Sequence, residues 1–331
     1  MSLNFMIFMI MPGDPVQFFI NPVKKGSAEE VAEQTRRLKE LWGIGDPTMI
    51  RYVKYLYNML TWNFGITFTG RNPVSSEMSW RLPYTLILMG GSITFAIIIG
   101  VLGGVLSAHK RGTITDTSSV FTALVFYSLP VFWMGMIFIY IFHVHLGWFP
   151  HAHAFPSEWA LYPPQPYTAT TTSSNPLQLL ITINPSGLLA TVAGYVSHAF
   201  LPILTLTLFQ YGGFLLLARA TMIEALTEDY IITARAKGVK ERVLLLKHAL
   251  KNAALPLITS AALAFGFMIS GAIITEGVFS WPGMGRWIFD AIGIKDYNVL
   301  QAVFYIIALC VILANFIADL LYGIIDPRIK Y

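Results

Sequence analysis

Charged residues are scarce in this chain, and cysteine is almost absent. Charged side chains make up 12% of the 331 residues, whereas soluble domains carry about 25%. A water-soluble fold is therefore the weaker hypothesis. Cys310 is the single cysteine, which excludes an internal disulfide, and we expect its thiol to be a small packing group. The net charge is only +4, so nucleic acid is not needed as a partner to explain it.

Nucleotide-binding and hydrolytic motifs are missing as well. The sequence contains no G-x-x-x-x-G-K-[ST] loop, which would hold phosphates through backbone N–H groups. It also lacks the G-x-S-x-G and H-E-x-x-H patterns of hydrolases and metalloproteases. We therefore expect neither enzyme activity nor a cofactor, and any ATP that drives this protein must be hydrolysed by separate subunits.

Long apolar runs dominate the rest of the sequence, in which 55% of residues are hydrophobic. A helix of about 20 apolar residues crosses the hydrocarbon core of a bilayer. We predict an all-α, polytopic membrane protein with five complete spans after a truncated or shortened first span at residues 1–11. A cleaved signal peptide fits this start less well, since no basic segment precedes the run. The five predicted spans are residues 84–106, 120–145, 188–217, 254–275 and 299–325.

Lysine and arginine are distributed unevenly between the predicted loops. Residues 107–119, 218–253 and the C-terminal tail all carry basic side chains, whereas the loop 146–186 has none. Cytoplasmic loops of membrane proteins carry the excess of basic residues. We therefore place residues 218–253 and the C-terminus in the cytoplasm and residues 12–83 outside, before a permease core at 84–331. The loop 150–185, rich in proline and threonine, is expected to be an irregular external segment.

The most informative segment is residues 224–256, which are charged and helix-forming between two apolar runs. We predict a helix over 221–237, a bend at Gly238 where positive φ costs little, and a second helix over 240–252. Pro256 is expected to begin the next span. We call residues 218–253 the elbow. Composition leaves open whether it lies on anionic lipid or docks on a partner. The second helix is expected to carry one apolar face formed by Val243, Leu244, Leu246 and Leu250.

The spacing of three elements in the elbow resembles a known family. Glu224-Ala225 is followed by Gly238 fourteen residues after the glutamate, and Leu255-Pro256 closes the unit. This pattern is similar to the EAA loop of permease subunits in binding-protein-dependent ABC importers. Other segments resemble the dipeptide and oligopeptide branch of that family. They are MPGDP at 11–15, RLPYTL at 81–86, SLPVFW at 128–133, LGWFP at 146–150, VFSWPGMGR at 278–286 and DPRIKY at 326–331.

The resemblance implies a type I ABC importer permease in the inner membrane that imports oligopeptides, with oligosaccharides or nickel chelates as alternatives. Its implied partners are a second permease in a heterodimer, two ATPase subunits and an extracellular binding protein. An external gate or binding-protein contact is expected at Trp281, Pro282, Gly283, Gly285 and Arg286. The ATPase-coupling residues are expected to be Glu224, Ala225, Asp229, Ala234, Ala236, Gly238, Leu244 and Leu246.

Several other residues have both a functional and a structural interpretation. An ion-driven secondary transporter would need several acids in the membrane, but Asp319 alone stands out, and we expect it to be a structural hydrogen-bonding group. Gly100 and Gly104 are expected to pack two helices closely, and Pro130 and Pro202 to kink their spans. Four histidines could ligate a metal, although we expect solvated side chains and no metal site. These are His143, His145, His151 and His153.

Overall fold

A computed structural model describes residues 2–10, 47–160, 167–172, 175–183 and 185–325. Long apolar helices dominate it, with one short pair of strands. The helices are α1 (Ser2–Ile10), α2 (Thr48–Leu60), α3 (Val74–Thr85), α4 (Gly91–His109), α5 (Ile114–Ser128), α6 (Val131–Phe138), α7 (Pro185–Leu226), α8 (Asp229–Ala236), α9 (Glu241–Val243), α10 (Leu250–Phe267), α11 (Ile273–Val278), α12 (Met284–Ile294) and α13 (Tyr297–Ile325).

Short turns of different helical pitch interrupt or extend several of these helices. A π-helical turn is locally wider than an α-helix and is often found at functional sites. The π turns are Leu86–Gly90 between α3 and α4, Ile139–His145 after α6, and Leu244–Ala249 between α9 and α10. The 3-10 turns are Ser157–Ala160 and Met268–Ser270.

Four helical stretches in the described part of the chain are long and apolar enough to cross a membrane. The pair Ile114–Ser128 and Val131–His145 adds a fifth if it is counted as one span. The prediction of a helical, polytopic membrane protein is thereby confirmed, with four to five candidate spans. Helix α1 has 9 residues and is about 14 Å long, which is too short to cross alone. The four stretches are Val74–His109, Gly187–Leu226, Glu241–Ser270 and Tyr297–Leu320.

Two prolines bear on the predicted spans. The kink expected at Pro130 is confirmed, because the chain bends by 99° between α5 and α6, and these helices form one span only with that bend. Leu129 is extended, with ψ 135°, since the ring of Pro130 disfavours helical conformation at the preceding residue. The expectation that Pro256 begins a span, by contrast, is wrong. Pro256 lies inside α10, as Pro202 lies inside α7, and neighbouring helices in membrane proteins accommodate such prolines.

The span after the elbow ends earlier than the predicted 254–275. Its α-helical part stops at Phe267, and the turn Met268–Ser270 leads to Gly271, which has φ +69°. This left-handed conformation is inexpensive only for glycine, so the chain leaves the helix here and begins α11. The first full span, by contrast, begins at Val74 rather than at residue 84.

Part of the loop that is expected to be external forms a hairpin. Strands β1 (Tyr167–Thr172) and β2 (Asn175–Ile183) pair antiparallel, with Tyr167 opposite Ile183 and an irregularity between Thr171 and Thr172. The expectation of an irregular loop is therefore wrong for these residues. Runs of β-branched threonine and isoleucine favour strands, which accounts for the pairing.

Two glycines of α4 let it lie close against α7. A Cβ added to Gly100 would lie 2.6 Å from the Cβ of Phe214, and one added to Gly104 would lie 2.5 Å from the Cβ of Ala218. Any side chain at these positions would push the helices apart. The prediction that the two glycines serve close packing is confirmed.

Separate apolar clusters hold the two ends of the helices. We call the end that contains residues 107–119 and 226–243 the inner end, and the opposite end the outer end. The outer cluster joins α1, α2, α3, α12 and α13. The inner cluster joins α4, α7, α8 and α10. Both predicted functional regions lie at these ends, the elbow at the inner one and residues 281–286 at the outer one.

Candidate functional site

The first helix of the elbow begins later in the chain than predicted, at Asp229 and not at residue 221. Helix α7 runs on to Leu226, so Glu224 and Ala225 belong to the last turn of a long helix. The chain is then extended at Glu228, with ψ 147°, before α8 begins. A single helix over residues 221–237 is therefore wrong. Gly238 has φ +74°, so the positive φ predicted for the bend is confirmed.

One face of the elbow packs on its own chain. Ala225, Ala234 and Leu244 are at most 8% exposed and lie in the inner cluster with Val105 and Ala108 of α4. A buried leucine side chain contributes about 2 kcal/mol through removal of its apolar surface from water. Ala234 and Leu244 are thus unavailable to a partner in this conformation, and they fix the elbow to the end of α4.

The opposite face of the elbow is exposed. Ile232 is 60% exposed, and Val243 and Leu246 are about 40% exposed. The predicted single apolar face of the second helix is therefore divided, because Leu244 and Leu250 pack in the inner cluster while Val243 and Leu246 are exposed. Apolar side chains ringed by charge are typical of a docking surface. Exposed polar and small residues around them include Glu224, Asp229, Arg235, Ala236 and Lys237.

Ion pairs tie the elbow together only weakly. The Arg235 guanidinium lies 3.0 Å from the Glu241 carboxylate, and His109 Nδ1 lies 3.6 Å from the same oxygen. The Arg235 and Glu241 side chains are 57% and 41% exposed. Such exposed pairs contribute at most about 1 kcal/mol, so apolar packing is the main attachment of the elbow from α8 onward.

A buried ion pair at the start of the elbow, between Asp116 and Arg219, was not predicted from the sequence. Asp116 at the start of α5 accepts two hydrogen bonds from Arg219 of α7, at 2.7 and 2.9 Å. It also accepts hydrogen bonds from the Ser107 hydroxyl and the Gly112 N–H. The Asp116 side chain is 6% exposed. In the sequence, Arg219 stands near the end of an apolar run and Asp116 follows a basic loop. Neither position indicates which residue is its partner.

The residues predicted as an external gate form a closed turn at the outer end. We call residues 271–286 the outer segment. Trp281 is fully buried, and its indole N–H donates to the Tyr84 carbonyl at 3.0 Å. Gly283 and Gly285 are also buried, whereas Pro282 and Arg286 are half-buried. Most of this motif therefore faces the interior, and only Pro282 and Arg286 remain open to an outside partner.

The outer segment encloses a glutamate that sequence reasoning missed. Glu276 is 0% exposed. Its carboxylate accepts hydrogen bonds from the N–H groups of Arg286 at 2.8 Å and Ala272 at 3.3 Å, and from the Thr85 hydroxyl at 3.4 Å. Burial raises the pKa of Glu276, while the donated hydrogen bonds, including one from the Gly285 backbone, lower it. A glutamate one residue beyond a predicted span gave no sign that it would be buried.

Three glycines make room for this carboxylate. A Cβ on Gly271 would lie 2.5 Å from a Glu276 oxygen, and one on Gly283 would lie 2.7 Å from its carboxyl carbon. A Cβ on Gly285 would lie 3.1 Å from the other oxygen. The glycines of the WPGMGR motif thus serve close approach of backbone to a buried side chain.

The remaining candidate residues are the histidines near residues 143–153 and Asp319. The rings of His143 and His151 lie 4.3 Å apart, and His143 Nδ1 is 2.9 Å from the Phe149 carbonyl. Among the residues that the structure describes, no three His, Cys, Asp or Glu side chains are grouped to hold a metal ion. Asp319 lies in α13 with its side chain exposed on this chain, and its hydrogen-bonding role stays a prediction. The motifs at 11–15 and 326–331 lie outside the described residues.

Comparison with known proteins agrees with this architecture. Residues 100–331 match the family described as "Binding-protein-dependent transport system inner membrane component". A di/tripeptide transport system permease protein of Pseudomonas aeruginosa is 36% identical over 329 residues, which cover 99% of this chain and 93% of that protein. An oligopeptide transport system permease protein of Bacillus subtilis is 34% identical over 331 residues, with the same shares of each chain covered.

A glutathione transport system permease protein of Escherichia coli K12 is also similar, at 32% identity over 329 residues that cover 99% of this chain and 93% of that protein. Among solved structures, the MetNI methionine ABC transporter matches with a TM-score of 0.52 and 16% identity. The match covers 76% of this chain and 97% of that one. At 16% identity, this structural match supports the fold alone.

Proposed function

The chain belongs to the family of binding-protein-dependent transport system inner membrane components, and from this premise we propose that it forms half of a translocation path for peptides. As a member of this family it is a multi-pass permease of the inner membrane and not a catalytic subunit. Family membership also decides against the alternative of an ion-driven secondary transporter. The observation that carries the peptide proposal is the 36% identity, over 99% of the chain, to a di/tripeptide permease.

The proposed assembly follows the arrangement implied by the sequence resemblance. A second permease completes a heterodimer, two ATPase subunits bind inside, and a binding protein delivers the peptide from outside. The fold is that of a type I importer with five complete spans after a short first one. The elbow (residues 218–253) and the C-terminus are cytoplasmic, and the part of residues 12–83 that precedes the first full span is external. The positions of the basic residues support this orientation.

We further propose that the ATPase docks on the exposed face of the elbow. Changing a 1:99 ratio of two states into 99:1 requires about 5.5 kcal/mol of differential interaction. Exposed ion pairs such as Arg235–Glu241 supply at most about 1 kcal/mol, so the elbow must move as one packed body. The apolar side chains of Ile232, Val243 and Leu246, which remain exposed on this body, are the proposed contacts.

Reconstituted transport tests the choice of substrate. The complex with its companion subunits is placed in liposomes, and ATP-dependent uptake of a labelled dipeptide, oligosaccharide and nickel chelate is measured. We expect uptake of the dipeptide, inhibited by excess unlabelled peptide. Uptake of the oligosaccharide or the nickel chelate without the dipeptide would contradict the proposal.

Co-purification tests the docking surface. Ile232→Ser on the elbow should lower the amount of ATPase subunit that purifies with this chain. Ile114→Ser is the matched control, because Ile114 is 83% exposed at the same end of the protein but lies outside the elbow. Equal recovery of the ATPase with both variants would rule out this face as the contact.

A further inference from the structure

Two helix breaks lie side by side toward the outer end of the protein. The π turn Leu86–Gly90 interrupts the stretch Val74–His109, and the 3-10 turn Met268–Ser270 ends the stretch that begins at Glu241. The two turns contact each other. A Cβ on Gly90 would lie 3.5 Å from the Met268 sulfur. Two of the candidate spans therefore lose regular α-helical geometry at the same level.

Different apolar clusters hold the protein on the two sides of these breaks. Before the π turn, Val74 and Met78 of α3 pack with Trp287 and Ile288 of α12. After the π turn, Ala96 of α4 belongs to a cluster with Tyr211, Phe214 and Leu215 of α7. The part of the protein outside the breaks and the part inside them thus have different main clusters, and a third cluster with Leu88 of the π turn, Trp281 and Leu206 lies between them at the breaks.

Hydrogen bonds fasten the residues beside one break to the segment that follows the other. Thr85, directly before the π turn, accepts the Met284 N–H at 2.7 Å and donates to Glu276 at 3.4 Å. The neighbouring Tyr84 carbonyl accepts the Trp281 indole N–H. The other donors to Glu276 belong to the outer segment itself. Because all of them are N–H or O–H groups, they suit an ionised carboxylate and not a cation site.

We propose that the two breaks act as one hinge between the outer and inner parts, and that Glu276 is the positioning residue that keeps them aligned. The proposal rests on the proposed function, because a transporter must pass between two states. Helix α13 contacts both the outer cluster and α10 and continues without a break from Tyr297 to Ile325. The motion at the hinge is therefore a rotation beside α13 and not a separation of the two parts.

Distances between spin labels test whether the hinge moves. Labels on Ser75→Cys and Leu102→Cys, both exposed, span the π turn of a single stretch in a Cys310→Ala background. Labels on Val192→Cys and Ala220→Cys span a similar length of α7, about 40 Å, which has no π turn. We expect the first distance to change between the nucleotide-free and ATP-trapped complex, while the second stays constant. A first distance that is the same in both states would overturn the hinge.

The coupling ratio tests the role of Glu276. Thr85→Val and Glu276→Gln each remove part of the hydrogen bonding while keeping the side-chain shape, and Thr85→Ser retains the hydroxyl. Peptide transported per ATP hydrolysed is measured for assembled complexes in liposomes. A variant that folds poorly lowers peptide transport and ATP hydrolysis together. A variant that only loses the positioning of the hinge changes the ratio of peptide transported to ATP hydrolysed. We expect Thr85→Val and Glu276→Gln to lower the ratio about tenfold, the equivalent of one lost hydrogen bond to a charged group. Thr85→Ser, which retains the hydroxyl, should keep the wild-type ratio.

The controls separate this inference from the proposed function. If the wild-type complex shows no ATP-dependent peptide uptake, the proposed function itself fails. If the wild type transports and both variants keep its ratio of peptide to ATP, the positioning role of Glu276 is overturned while the function stands.

Discussion

The elbow and the outer segment both connect long helices, but different forces hold them in place. The elbow is fixed by apolar packing of Leu244 and Ala225 under α4, with exposed charges around it. The outer segment is fixed by the buried Glu276 carboxylate, which accepts hydrogen bonds from backbone N–H groups. Apolar packing tolerates small shifts, whereas buried hydrogen bonds require fixed geometry. The two connections thus depend on different interactions, apolar contacts at the inner end and directional hydrogen bonds at the outer end.

The largest expected effect comes from removing the carboxylate of the outer segment. Glu276→Ala leaves the N–H groups of Ala272, Gly285 and Arg286 without their acceptor. Each unsatisfied buried group costs about 1 to 3 kcal/mol, so we expect a loss of about 4 kcal/mol. Thermal unfolding of the detergent-solubilised protein measures it. The control is Glu228→Ala, an exposed glutamate. Equal melting temperatures for the two variants would mean that the outer segment is not held by Glu276.

The second largest effect should come from the ion pair at the start of the elbow, between Asp116 and Arg219. Asp116→Asn keeps the shape of the side chain but leaves Arg219 without its carboxylate. Breaking a buried ion pair costs about 3 to 5 kcal/mol. We expect about 3 kcal/mol because the Arg219 side chain is 28% exposed. A double-mutant cycle with Arg219→Gln measures the coupling by thermal unfolding. Additive effects would show that the two side chains act independently.

A substitution at the bend of the elbow, Gly238→Val, should lower stability less and should change the coupling of ATP hydrolysis to uptake. A β-branched residue at positive φ is strained by about 1 to 2 kcal/mol, and Gly238 has φ +74° with nothing within 4 Å of an added Cβ. We expect Gly238→Val to uncouple ATP hydrolysis from uptake while the external binding protein still captures substrate. Gly293→Val is the control, since Gly293 has equal space without a positive φ. Normal transport by Gly238→Val would contradict the coupling role of the elbow.

The smallest effect should come from the exposed ion pair of the elbow. Glu241→Gln removes the partner of Arg235 and His109, and we expect a change in unfolding free energy below about 1 kcal/mol. The difference between this variant and Asp116→Asn measures what burial adds to an ion pair in the same protein. A loss as large as that of Asp116→Asn would show that charges, and not apolar packing, attach the elbow.

The sequence was sufficient for features that depend on composition and local conformation. Long apolar runs predict membrane spans because a bilayer requires about 20 apolar residues in a helix. Gly238 was recognised as a bend from its position between two helix-forming stretches, and Gly100 and Gly104 as a packing surface from their spacing. These properties belong to single segments, so no knowledge of neighbouring segments is needed.

Only the tertiary structure decided which side chains meet across the chain. Glu276 and Thr85 are 191 positions apart, and Asp116 and Arg219 are 103 apart. Burial of a charge depends on donors that fold around it, and no local pattern reveals them. The same holds for Leu244, whose inward direction is set by α4. Local preference thus determined where helices form and bend, and packing between distant segments determined which residues work together.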